Sequence, residues 1–352
     1  MQQSSTLFHP IYAILSAMNP SLVRKILYSL VFALLVYIAL ALWSDWSDLT
    51  AALRDFPWSW LPAVVALTLV NYGGRLFKWQ WYLELLGVQI ERGDSARIFG
   101  VGMLMVMTPG KAGEFLKSYM VKNVTRTPMS VTAPVVLAER MTDGVAMLLL
   151  ASIGLFSFPD PTARAIAALV LIGCAGVITV IQIRPLALRL LAVGQKLPVA
   201  RRFANHLLTL YESSFLIFKP TNLVISLGIG LVSWGAEGLA YFLVLVGFGA
   251  TPSVETAWTA IFIFCISTVI GAVFALPGGL GGVEGSLVAL SIRLLGLDPA
   301  SATAAALLIR FCTLWMGVGI GVVSFLLWPQ LLAGAPATSP AAADGVRPPA
   351  SP

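Results

Sequence analysis

Apolar stretches long enough to cross a bilayer recur along this chain from Ile26 to Trp328, with only short polar breaks between them. Segments that are apolar on every side need lipid or protein around them, so few soluble folds can use so many. Composition agrees: 58% of residues are apolar, 11% are charged, and the mean hydropathy is +0.88. That leaves too little polar surface to solvate a globular domain. The sequence therefore predicts an all-α fold, a polytopic membrane helix bundle forming one domain over 26–328. A tail at 1–25 precedes it, and an Ala- and Pro-rich tail at 329–352, expected to be disordered, follows.

The first apolar run follows Arg24-Lys25 and contains Ala39-Leu40-Ala41, which superficially matches a cleavable signal peptide. Its positive residues come after a long tail and the run is long enough to span, so an uncleaved anchor is expected. The formal charge of +6 sits in short runs between apolar segments, which is a signature of topology rather than of nucleic-acid binding. Cys174, Cys265 and Cys312 lie inside apolar runs without CxxC spacing, and His9 and His206 are far apart. No metal site, disulfide framework or cofactor is expected from them.

Uninterrupted spans are expected near 26–43, 60–83, 130–156, 165–183, 221–248 and 302–328. Two further stretches, 96–122 and 257–296, are apolar but interrupted. The first is broken at Thr108-Pro109-Gly110-Lys111-Ala112-Gly113-Glu114, the second at Leu276-Pro277-Gly278-Gly279-Leu280-Gly281-Gly282-Val283-Glu284. Proline removes a helical hydrogen bond and clustered glycines weaken the helix, so each stretch should break at mid-depth, where protein or water must shield it. Two re-entrant broken hairpins are expected; the alternative is a pair of kinked full spans.

Loop charge favours the hairpins. If the first hairpin enters and leaves by one face, Arg24, Lys25, Arg92, Arg97, Lys117, Lys122, Arg126, Arg184, Arg189, Lys196, Arg201 and Arg202 share a side, opposite Asp45, Asp48, Asp55 and Glu255. The positive-inside rule then puts both termini in the cytoplasm of a bacterial inner membrane.

The two broken stretches also resemble one another. Val70-Asn71-Tyr72-Gly73-Gly74-Arg75 can be laid on Val232-Ser233-Trp234-Gly235-Ala236-Glu237, Pro109-Gly110 with Glu114 on Pro277-Gly278 with Glu284, and Arg140 on Arg310. Each half, about 60–156 and 221–328, reads span, broken hairpin, span, and the topology sends them in opposite directions. Such an inverted repeat with interrupted segments at corresponding positions points to a transporter with its site near the midplane.

Ionisable groups within spans are costly unless paired or hydrated, so Arg75, Glu114, Glu139, Arg140, Asp143, Glu237, Glu284 and Arg310 each need a reason. Glu139-Arg140-Met141-Thr142-Asp143 puts Arg140 and Asp143 three apart on one helix surface, an expected ion pair. That pair is either a structural salt bridge or the means by which Arg140, Arg75 and Arg310 are aimed at a phosphate, to which a guanidinium offers a planar fork of donors. Glu114 and Glu284 follow the breaks closely and either cap half-helices or take up protons. Glu139, Asp143 and Glu237 are placed with them as coupling or anchoring carboxylates. Lys111 either attracts an anionic headgroup or snorkels to the interface. Trp43, Trp46, Trp58, Trp60, Trp79 and Trp81 read as an interfacial belt.

At Pro109 to Glu114, Glu139 to Asp143 and Pro277 to Glu284 the chain resembles the membrane region of lysylphosphatidylglycerol synthases and the stand-alone flippase-like proteins related to it. The resemblance extends over about 26–328. It implies lipid translocation, with a phospholipid, polyprenyl or hopanoid type of lipid as substrate. The bifunctional synthases carry a soluble transferase domain after this region, whereas this sequence runs into a short Ala/Pro tail, so lysyl transfer is not carried over. An intramembrane lipid-modifying enzyme lacks support from any GxSxG elbow or spaced Asp set. A homo-oligomer, or a partner subunit in envelope assembly, stays open.

Overall fold

In the computed structural model, residues 46–108, 113–155, 204–274 and 276–333 are described, with a few positions between 172 and 184. The expected span at 26–43, most of that at 165–183, and Pro109, Gly110, Lys111, Ala112, Cys174 and His9 lie outside the described residues. Eleven helices, all longer than two turns, carry the described fold, and no strand occurs among these residues. They are α1 (Trp46–Asp55), α2 (Leu61–Leu85), α3 (Arg92–Leu104), α4 (Leu116–Thr125), α5 (Met129–Leu155), α6 (Ala204–Ile217), α7 (Pro220–Gly247), α8 (Val254–Val273), α9 (Gly282–Leu295), α10 (Pro299–Arg310) and α11 (Met316–Leu327).

Local chemistry sets the ends. Pro220 and Pro299 open α7 and α10 at the position where a missing N–H costs nothing. Ser253 caps α8 by accepting from the Thr256 amide, and Asp298 caps α10 by accepting from the Ser301 amide at 2.9 Å. Four described stretches are long and apolar enough to cross a membrane: 220–247, 254–273, 277–295 and 299–327. The helices α2 and α5 have the length, at 25 and 27 residues, but carry Arg75 and Lys78, and Glu139, Arg140 and Asp143, in mid-span.

Both interrupted stretches turn back on themselves. In the first, Gly102 of α3 faces Lys117 of α4, and Gly113 faces Met105. In the second, Gly271 of α8 faces Val283 and Gly279. Each is a helical hairpin rather than a kinked rod. Their limbs differ in reach: α3 has 13 residues, about 20 Å, whereas α8 has 20, about 30 Å, the full thickness of a hydrocarbon core. The two tips meet, with the Met107 sulfur 3.1 Å from where a Cβ on Gly278 would stand.

The halves pack by one rule. Exchanging α2 for α7, α3 for α8, α4 for α9 and α5 for the α10–α11 rod converts the contact of α3 with α11 into that of α8 with α5. It likewise converts α3–α4 into α8–α9, α4–α5 into α9–α10, and α2–α5 into α7–α10. The helices α2 and α7 exchange onto each other, and they run antiparallel: Gly74 lies against Ser233, Lys78 beside Gly230, and the Tyr82 hydroxyl donates to Ser226 Oγ at 2.7 Å. A two-fold that swaps antiparallel partners lies across their axes, which makes the repeat inverted.

Small residues let the helices close on one another. Gly100 lies against Ser324 and Gly321 against the Leu104 backbone along the α3–α11 seam. Two apolar cores result, one around Tyr241, Phe264 and Ile309, the other around Trp79, Tyr82 and Met105.

Candidate functional site

A cavity of about 90 Å³ lies between the two cores, walled by Tyr72 and Leu314 on one side and Trp234 and Phe264 on the other. Arg75, Arg140, Arg310 and Glu237 line it, as do Gly278 and Gly279 of the second break. It has room for a handful of waters.

The second break is set by backbone geometry that only glycine adopts freely. Gly278 and Gly279 have φ of 60° and 71°, so the chain turns without strain and the Gly278 carbonyl faces Arg310. Arg310 Nη2 donates to that carbonyl at 2.6 Å and Nε to Glu284 Oε1 at 2.7 Å. The other Glu284 oxygen accepts from the Gly281 amide at 2.7 Å. Glu284 thus caps α9 and also holds the arginine on the next helix.

At the first break Thr108 does part of this work. Its hydroxyl donates to the Met105 carbonyl at 2.6 Å and accepts from the Gly113 amide at 2.8 Å, joining the two sides of the turn. A side chain on Gly113 would collide with Thr108. Glu114 then lies 3.2 Å from Arg140 Nε. The sequence correspondence of Glu114 with Glu284 and of Arg140 with Arg310 therefore returns as two equivalent ion pairs, each tying a break to the second helix after it.

Around the first pair the charges form a chain. Arg140 also reaches Asp143 at 3.5 Å, the pair expected from their spacing. Asp143 accepts from Lys78 of α2 and lies 3.9 Å from Arg75 Nε. Glu139 pairs with Lys117 at 2.5 Å, and the Lys117 ammonium sits 4.4 Å from the centre of the Trp79 ring. The carboxylates lie deep, with Glu114 and Asp143 only 2% exposed, while Arg140 is 24% exposed toward the cavity. The acids stand behind the guanidiniums and aim them.

The structure corrects three readings, the first being that Trp79, read above as part of an interfacial belt, is fully buried against Lys117. Lys117, counted above with the loop charges that set topology, is buried at 3% exposure and belongs to this network. Lys78, absent from the expected set of membrane-depth charges, is fully buried. The signal for Lys78 was available: Asn71, Arg75, Lys78 and Tyr82 follow the four-three-four spacing of one helix face. Of the expected site residues, Arg75, Arg140, Arg310 and Glu237 share the cavity, whereas two donors of Arg310 are taken by the break.

Tyr72 closes one wall. Its hydroxyl donates to the Thr313 carbonyl within the π-helical turn Phe311–Trp315 that joins α10 to α11. Such turns free carbonyls from the helical ladder and are frequent at functional sites.

Comparison with known proteins bears on this arrangement. A family model described as the lysylphosphatidylglycerol synthase TM region matches residues 26–321. A UPF0104 membrane protein of Methanothermobacter thermautotrophicus is 27% identical over 279 residues, covering 71% of this chain and 80% of its own length. Another UPF0104 membrane protein, of Methanocaldococcus jannaschii, is 24% identical over 222 residues, 63% of this chain and 92% of its own.

Proposed function

Because this multi-pass membrane protein belongs to the lysylphosphatidylglycerol synthase TM region family, we propose that it moves an amphiphilic lipid between leaflets, by way of the cavity where its hairpin tips meet. One observation carries the reading: Arg75, Arg140 and Arg310 converge on a single cavity between inverted halves, with their carboxylates behind them. A polar headgroup entering hydrocarbon must shed its water, and guanidinium forks replace those partners for a phosphate. Glu114 and Glu284 position Arg140 and Arg310 in this scheme, rather than carrying protons. Parting of the hairpin tips gives the headgroup the space that 90 Å³ does not.

We place the chain in a plasma membrane with both termini cytoplasmic. Arg92, Arg97, Lys122 and Arg126 are exposed and cluster at the open end of the first hairpin, the side that the positive-inside rule makes cytoplasmic.

The test is translocation by the purified full chain in liposomes, read with headgroup-labelled phosphatidylglycerol and phosphatidylcholine. Transport is expected, and Arg140→Gln should slow the anionic lipid more than the zwitterionic one, in protein that still folds but with a lowered thermal midpoint. Equal slowing of both lipids would return Arg140 to a structural role. Absence of transport by folded protein would favour a lipid-modifying enzyme or an assembly partner.

A further inference from the structure

A second cavity, of about 510 Å³, runs between α2, α3 and α11, within the ~300–1,000 Å³ typical of ligand sites. Its walls are apolar, with Leu69 and Leu76 from α2, Phe99 and Met103 from α3, and Ile320 from α11. The neighbouring outer face of α2 is apolar and exposed, Leu69 at 49% and Phe77 at 61%, so the groove opens where lipid would lie.

Its two ends differ in chemistry. At one end stand Arg97 and Trp328, with the guanidinium 5.4 Å from the ring centre and the Arg97 side chain 44% exposed. Arginine beside tryptophan is the pairing expected at headgroup level. Asp94, 2.7 Å away, pairs with Arg97. At the other end stand Tyr72 and Met103, and both also line the arginine cavity. Groove and cavity thus share a wall, and Tyr72, held by the Thr313 carbonyl, is part of it.

We propose that this groove is the loading site: it holds one hydrocarbon chain of a bilayer phospholipid whose phosphate rests on Arg97 at its mouth. The assignment rests on the transport reading above and names its entry point. A lipid so docked keeps its ordinary orientation, headgroup at the interface and chain toward mid-depth. The swing of Tyr72 from Thr313 then opens the way from Arg97 toward Arg140. No equivalent position is needed in the second half, because a lipid has to be loaded from one leaflet only.

Gly73 offers a clean test. It lines the groove, and a Cβ there would meet nothing within 4 Å, whereas at neighbouring Gly74 it would strike Ser233. Gly73→Leu therefore fills the groove without disturbing the α2–α7 contact and gives α2 a better helix former. The experiment uses the full chain in phosphatidylcholine vesicles containing phosphatidylglycerol with a diazirine on one acyl chain, adducts being mapped by mass spectrometry. Adducts are expected on 69–76 and 99–103. Gly73→Leu should abolish them with the thermal midpoint unchanged or raised, and Arg97→Gln should lower labelling by phosphatidylglycerol roughly fivefold and labelling by an equally labelled phosphatidylcholine less, because its choline cation already offsets the phosphate charge.

Adducts as frequent at Phe77 as in the groove, or adducts retained in Gly73→Leu, would overturn the assignment. So would a disulfide between cysteines placed at Leu69 and within 26–43, since the chain itself would then occupy the groove. Unchanged translocation by Gly73→Leu sinks the loading site and leaves transport standing. Groove adducts that Gly73→Leu removes, in protein that moves no lipid, uphold the site and sink transport.

Discussion

Glu284 serves two neighbours with its two oxygens, the Gly281 amide and the Arg310 guanidinium, and is fully buried. Removing one member of a buried pair leaves the other charged and unmatched, so Glu284→Gln should cost about 3–5 kcal/mol. Arg140→Gln should cost less, because Arg140 is the more exposed arginine, 24% against 9% for Arg310, and Asp143 keeps Lys78 as a partner. Glu284→Leu combined with Arg310→Met should cost less than the sum of the two single changes. Thermal midpoints in detergent decide this, and equal shifts for Glu284→Gln and Arg140→Gln would refute the view that Arg310 is the more tightly braced of the two arginines. The two pairs were legible in the sequence because equivalent residues fell at equivalent distances from the breaks. Lys117 was not. A lysine near the end of an interrupted apolar stretch reads as an interfacial or loop charge, and only the three-dimensional approach of Glu139 says otherwise.

Among the elements, the long spans were the most legible, since α2, α5, α7 and the α10–α11 rod stand within three residues of the expected limits. Hydropathy registers length and apolarity, which is what these helices have. It does not register α1 or α6, which are shorter and carry charged residues, nor the unequal reach of the two hairpins. Which face of a break its glycines serve was also hidden, because it depends on the carbonyl that Gly278 turns toward Arg310. At the start of α10, the Ser301 amide holds the Asp298 carboxyl below its ordinary pKa. A depressed carboxylate stabilises the fold above its unfolded pKa, and that contribution is lost as pH falls through the folded value. Asp298→Ala should accordingly cost about 1 kcal/mol at neutral pH and little once acid has protonated the wild-type cap. A midpoint difference between variant and wild type that persists undiminished in acid would show that the cap does not act through its charge.

At the scale of the whole molecule, the antiparallel α2–α7 contact and the exchange of packing partners make one experiment decisive for the repeat. The entrances of the two hairpins lie near Gly93 and Ser253. Single cysteines there, in a background lacking Cys174, Cys265 and Cys312, should react with an impermeant maleimide from opposite sides of sealed vesicles. Reaction of both from one side would end the inverted arrangement and with it the case for a midplane site. The charge network has a consequence of another kind, for biogenesis. During synthesis α2 emerges with Arg75 and Lys78 while Asp143, the carboxylate that meets both, is 65 residues behind Lys78. Each unmatched charge in mid-span opposes entry into lipid by ~2.5–3.5 kcal/mol. Stable insertion of α2 is therefore expected to depend on α5, so that the first half settles in the bilayer as a unit rather than helix by helix.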